Sequence, residues 1–337
     1  MLSKLATLVA AGGLLAGAAT AALAVDTNDL ETIRFGIIAT DSAANLRTQW
    51  VDFIAAMEDQ TGYTVEPFFA PDYNGIIEAM RFDQIEIAYI GGAAAVQAVD
   101  RAGGEVFAQR INAGNVSGYH TLLIVHRDSN IESVDDIFEN AGRLDAALGD
   151  LNSTSGFLVP DFYLFQRRGV VPSETFASVT HASHEAMVLA VANQTADFGT
   201  ISSFQPARMS PDVVDQVREI WRSPLIPNSP MMWRTNLPDA TKDRVRGFFL
   251  SYGQVGSPEE ITEARAVLER TTGGMEAWRG SNNHQLIPVR QLELAKQVGQ
   301  INQNDALSDE EKAGRIVEIE EQLADLENMV RLLEAGL

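Results

Sequence analysis

The apolar and polar positions between Thr32 and Trp221 alternate between short strand-like runs and segments of helical period. Thr32–Thr40 (TIRFGIIAT) predicts a strand that ends in a polar turn at Asp41 and Ser42. From Asn45 to Thr61, Leu46, Trp50, Phe53, Ile54 and Met57 fall at helical spacing, and Gly62 stops the helix. Thr64–Ala70 predicts a second strand. Asp72 is placed to cap a helix carrying Ile76, Ile77, Met80 and Phe82, and Ile85–Ile90 predicts a third strand leading through Gly91 and Gly92 into an Ala-rich helix. Val106–Ile111 predicts a fourth. Strands alternating with single helices imply βαβ units and a largely parallel sheet.

A polar stretch, 112–118, precedes Tyr119–Arg127 (YHTLLIVHR), which opens a second series. Strands are expected at Leu144–Leu148, Thr175–Thr180, Asp197–Thr200 and Val217–Trp221, with a helix over Ser183–Asn193. The Pro-stiffened segment from Ser223 to Pro230, continuing through Met231–Arg234, reads as an extended crossing back. Two αβ lobes joined by two extended crossings predict a hinged pair, with the ligand site in the cleft beyond the C-terminal ends of the strands. The rest reads as helical: Asp239–Tyr252, Glu259–Thr271, then a capping box at Ser308 and Glu311. After that box, Ile316, Ile319, Leu323, Leu326, Val330 and Leu333 form an a/d-like stripe. It fits packing on its own domain or a homodimer seam equally. The expected division is residues 25–118 with 232–300 for lobe 1, 119–231 for lobe 2 with the hinge crossings, and 301–337 for the C-terminal amphipathic helix.

Composition sharpens this picture at two points. Residues 1–24 start basic at Lys4, are apolar and small from Leu5 to Ala21, and finish with Ala22-Leu23-Ala24, so they read as a signal peptide cleaved after Ala24. Without cysteine there is neither a lipid-attachment site nor a disulfide, and the mature protein is expected to be exported, free and soluble. The formal charge of −21 argues against nucleic acid and anionic membranes as partners. It leaves open an anion held in a closed pocket.

The stretch with the most chemistry is Leu148–Pro160, LGDLNSTSGFLVP. A strand, a small-residue turn and helix-spaced Phe157, Leu158, Phe162, Leu164 and Phe165 set Ser153, Thr154 and Ser155 at a helix N-terminus. Unpaired N–H groups and the dipole favour an anion there. Plain capping by Ser or Thr is the bland alternative. Ser153 or Ser155 with His184 also allows a secreted hydrolase, but the G-x-S-x-G elbow and an obvious orienting acid are missing. No Walker loop is present. His181 and His184 stand three apart but lack further ligands nearby, so neither a metal nor a cofactor is expected.

GDLNSTSGFLVP, YNGIIEAMRF (Tyr73–Phe82), GYHTLLIV from Gly118, SHEAMVLAV from Ser183, LIPNSPMMWR and SNNHQLIPVRQLEL together resemble the periplasmic phosphonate-binding proteins of ABC importers. The likeness covers nearly all of the mature chain. It implies an α/β, type II periplasmic-binding-protein fold that closes on phosphonate, phosphite or phosphate and delivers it to a membrane permease. A sensor passing the anion to a membrane receptor is the alternative. By the same resemblance Ser153, Thr154, Ser155 and His184 grip the oxyanion from one lobe, while Tyr73 and Tyr119 reach it from the facing lobe and hinge. Members that bind aminoalkylphosphonates carry acids where this chain has Thr200–Phe204 and Asn228-Ser229. A buried ammonium without a carboxylate costs several kcal/mol, so an amine-free ligand is expected. Tyr89 stands where a tryptophan is common, and Tyr89, Phe204 and Ser229 are expected to face the substituent on phosphorus.

Overall fold

A computed structural model describes residues 29–335, so the signal segment and its cleavage site lie outside the described residues. Strands β1 (Thr32–Ile37), β2 (Thr64–Phe69), β3 (Ile87–Tyr89) and β4 (Gly104–Asn112) belong to the first lobe. The chain then passes through β5 (Gly118–Tyr119) into the second lobe, whose strands are β6 (Thr121–His126), β7 (Asp145–Gly149), β8 (Ser178–Ala182), β9 (Phe198–Ser202) and β10 (Val217–Arg222). It returns through β11 (Ile226–Pro227) to β12 (Pro230–Arg234) and later β13 (Met275–Gly280).

The first sheet has the order β13-β4-β12-β3-β1-β2 and the second β10-β6-β9-β7-β8. In the first, β1 is parallel to β2 and β3, and β12 lies antiparallel between β3 and β4. The expected parallel sheet therefore holds for β1 to β4 only. Met231, Met232 and Trp233 are at most 1% exposed, so the predicted crossing continues as a central core strand. β13 also corrects the reading of the last segment as wholly helical. It is an edge strand in which Met275, Ala277 and Trp278 are buried, Glu276 is half-buried and Arg279 and Gly280 are exposed, which leaves no clean alternation to read.

In the second sheet β7 is parallel to β8 and β9, and β6 runs antiparallel between β9 and β10. The apolar run of β6 is continuous because the sheet is covered on both faces. Leu123 and Val125 join Ile137, Leu148, Phe165, Phe176 and Phe198 on one side. Leu122 and Ile124 join Met187, Val188 and Ile201 on the other. The first lobe is held by edge-to-face aromatics around Phe35, Trp50, Phe53, Phe249 and Trp278.

The hinge is the antiparallel pair β5–β11. Buried Asn228 ties it, its Nδ2 donating to the carbonyls of Arg110 (2.9 Å) and Val116 (3.1 Å). The helix Ile287–Gln303 lies against both β11 and the second lobe. The terminal helix Asp309–Glu334 begins at the predicted capping box and packs on this neighbour, with Ile319 buried and Ile316, Leu323, Leu326 and Val330 half-buried. Most of the apolar stripe thus meets its own chain.

Candidate functional site

A cavity of about 30 Å³ lies between the lobes, at the C-terminal ends of β1, β3, β7 and β9. Tyr73, Tyr89, Tyr119, Ser153, Thr154, Ser155, His184, Phe204 and Ser229 all line it, so every residue singled out from the sequence is brought to one place. Ile38, Thr40, Gly91, Ser202 and Arg208 complete the wall. By water-sized spheres the space is on the order of two or three molecules, suited to a compact ion.

The cradle begins where β7 ends. A Cβ on Gly149 would stand 2.4 Å from the Gly156 Cα, and one on Gly156 would stand 2.7 Å from the Gly149 Cα. Only glycine at both places lets the strand end and the helix start pass backbone to backbone. Ser153 caps that start, its Oγ accepting from the Gly156 N–H at 3.0 Å, so the capping reading is right for this residue. The helix itself corrects the sequence. Leu158 N–H reaches back to the Ser153 carbonyl at 3.0 Å, making Thr154–Leu158 a π-turn, which apolar spacing over so few residues does not distinguish from an α-turn. The Thr154 and Ser155 N–H groups have no acceptor among the described residues.

The hydroxyls are polarised in one sense. Ser153 Oγ accepts from Gly156, and Thr154 Oγ1 accepts from the Ala93 N–H at 2.8 Å. Ser155 Oγ lies 3.4 Å from His184 Nε2. Ser202 N–H donates to His184 Nδ1 at 3.2 Å, which assigns Nδ1 as the acceptor and leaves the proton on Nε2. Each hydroxyl therefore accepts a protein proton and keeps its own hydrogen to donate. Burial, reinforced by the Arg208 charge, lowers the His184 pKa to about 3, so the ring is a neutral donor. Burial raises the Tyr119 hydroxyl to about 12 against the opposing effect of Ser155, and it also raises Tyr73, which faces Ser153. All these groups stay protonated at ordinary pH.

This wiring is the reverse of a catalytic serine. The nitrogen beside Ser155 already carries the proton, and the other nitrogen receives an amide N–H where a triad would have an acid. His181 is likewise used locally, Nδ1 lying 2.8 Å from the Gly149 carbonyl. Among the described residues no group of three His, Cys, Asp or Glu is placed to hold a metal.

The lobes are joined across the cleft at three helix starts. At α1 (Ala43–Thr61), Ser42 N–H donates to Glu185 Oε2 at 2.6 Å. At α2 (Tyr73–Arg81), Tyr73 N–H donates to Asp150 Oδ2 at 3.2 Å. At α3 (Gly92–Arg101), whose own cap Gly91 has no side chain, Thr154 supplies the acceptor. Acceptors from the second lobe thus satisfy N–H groups at positive helix ends of the first.

Two arginines escaped the sequence reading. Arg208 lines the cavity from the short turn Pro206–Arg208, its Nη2 3.2 Å from Asp41 Oδ2. Asp41 also accepts from Gln205 Nε2 at 2.8 Å. Arg110, fully buried on β4, donates to the carbonyls of Thr272 (3.2 Å) and Gly273 (2.8 Å) and to Asn112. Its guanidinium sits 3.7 Å from the centre of the Phe204 ring, which also stacks on Tyr119 at 4.9 Å. A charge inside an apolar strand run was a legible signal for Arg110. Arg208 lies in a polar turn without periodicity and gave none. Among the described residues no carboxylate lines the cavity.

Two αβ lobes closing over a small donor-lined cavity define a solute-binding protein of the type II periplasmic fold. A family model described as ABC transporter, phosphonate, periplasmic substrate-binding protein matches residues 35–286. The chain is 41% identical over 308 residues to the phosphonates-binding periplasmic protein of Escherichia coli K12, covering 90% of this chain and 88% of that one. A phosphate-import protein of Mycolicibacterium smegmatis is 28% identical over 243 residues, 68% and 74% of the two chains. Among solved structures, a binding protein of an ABC phosphonate transporter from Pseudomonas aeruginosa superposes with TM-score 0.84 at 43% identity, over 92% of this chain and 100% of that one. The chain belongs to the periplasmic phosphonate-binding proteins of ABC transporters. It is a periplasmic substrate-binding component that works with a membrane permease, and it is not an enzyme.

Proposed function

We propose that this protein captures a small, amine-free phosphorus oxyanion, such as phosphite, methylphosphonate or phosphate, for import. The observation that carries this reading is the uniform polarity of the cavity. Ser153, Thr154, Ser155, Tyr73 and Tyr119 each present a hydroxyl hydrogen to donate, His184 backs Ser155 with its Nε2 proton, and among the described residues no carboxylate lines the space to pair with an ammonium. Hydrogen bonds to a charged partner contribute about 1.5–3 kcal/mol each. The second lobe holds the oxyanion first, at the helix start. Closure then brings Tyr73 over it and excludes water. Tyr89, Phe204 and Ser229 bound the substituent.

Replacing Ser153, Thr154 and Ser155 together by alanine is expected to abolish methylphosphonate binding in calorimetry while the circular dichroism spectrum stays native. Retained affinity in that variant would sink the assignment. Cleavage after Ala24 is part of the same proposal, tested by the N-terminal sequence of the exported protein. A homodimer through the terminal helix rests on the exposed Leu332 and Leu333, which lie beyond the buried part of the stripe, and sedimentation tests it.

A further inference from the structure

Among the described residues Arg208 is the one charged residue in the cavity wall. Its side chain is 6% exposed, with Nη2 held by Asp41 and by Gln205 Oε1. Its Nε–H is buried and has no acceptor among the described residues. A guanidinium donor taken from water and left unpaired is unfavourable, and one in a cavity wall calls for an acceptor on the occupant. Behind Phe204 and Tyr89, Arg110 has only neutral acceptors. Among the described residues Asp41 is the only carboxylate bonded to either guanidinium, and it is shared by Thr40, Gln205 and Arg208. Two cations and one anion leave net positive charge beside a wall whose other groups are neutral. Asp150 and Glu185 stand outside the wall, bonded at the starts of α2 and α1.

We propose that Arg208 contacts the ligand with its guanidinium and makes the site select a doubly charged tetrahedral anion over a singly charged one of the same shape. This rests on the oxyanion reading above and adds the charge state of the substrate class. A guanidinium bonded to the occupant interacts with its charge directly, so a dianion gains more from it than a monoanion.

Methylphosphonate and methanesulfonate have nearly the same size and shape. At pH ~8.5 the first is mostly a dianion and the second a monoanion. Calorimetric titration of the wild type with both is expected to favour methylphosphonate. In Arg208→Gln, methylphosphonate binding should weaken by about ten- to a hundredfold and methanesulfonate binding by clearly less, so that the ratio falls. Asp41→Asn keeps an oxygen for Gln205 but removes the carboxylate from Arg208. It should lower both affinities without lowering the ratio of methylphosphonate to methanesulfonate binding, because the Arg208 charge remains. Equal losses for both ligands in Arg208→Gln would mean that the residue only holds the lobes together, and unchanged binding would mean that it touches nothing. Either result overturns the proposal alone. A wild type that binds none of methylphosphonate, phosphite and phosphate would overturn the oxyanion reading itself.

Discussion

The two ends of the cavity are assembled in different ways. The cradle of Ser153–Ser155 is a local object: strand end, turn and helix start lie within a dozen residues, and two glycines in backbone contact fix its shape. The opposite end joins Tyr89, Arg110, Phe204, Arg208 and Ser229 from separate segments, and the contacts of Phe204 with Arg110 and of Arg208 with Asp41 exist only when the lobes are in place. On the proposed reading, a local cradle holds the anion in either lobe arrangement, and the composite end, completed by closure, reads what the anion carries.

This contrast can be broken most severely at the cradle. Gly156→Ala places a methyl where backbone already stands, and overpacking of this kind costs about 1–3 kcal/mol. We expect a lower melting temperature together with loss of methylphosphonate binding, whereas a native melting curve with native affinity would show that the glycine contact is dispensable. Removing one donor is gentler. Tyr119→Phe should weaken binding by roughly ten- to a hundredfold with little change in melting temperature, and calorimetry beside thermal unfolding separates the two. Glu185 touches the start of α1 and not the cavity. Glu185→Ala should therefore raise the ligand off-rate about fivefold with a nearly unchanged on-rate, following the loss of roughly 1 kcal/mol of closure contacts. Stopped-flow fluorescence would show it, and a change confined to the on-rate would contradict the closure role.

A further effect is on pH. His184 has a folded pKa near 3 and an ordinary unfolded value near 6.5, so between these the unfolded chain takes up a proton that the folded chain refuses. Its contribution to stability is intact above about pH 6.5 and declines as the pH falls towards 3. Denaturant unfolding from pH 7 to 4 should be less acid-sensitive in His184→Gln than in the wild type. Equal slopes would place the imidazole in water.

The same contrast explains what the sequence disclosed. The cradle was readable because its parts are adjacent, and the hinge because Pro and polar residues mark it. β6 was readable because burial on both faces makes its apolar run continuous. β12 looked like a connector, since nothing local shows that Met231–Trp233 enters the centre of the first sheet. The edge strand β13 carries too few buried positions for a period. Arg208 acquires meaning only beside Asp41, from the other lobe. What was hidden in each case is a contact between distant segments.

The central claim is that the cavity offers donors only, and a comparison of two ligands tests it most directly. Methylphosphonate and 2-aminoethylphosphonate share the headgroup and differ by an ammonium arm. Titrated calorimetrically into the wild-type protein, methylphosphonate should bind at least tenfold more tightly, the ammonium having no carboxylate to replace its water. Tighter binding of 2-aminoethylphosphonate would contradict the account.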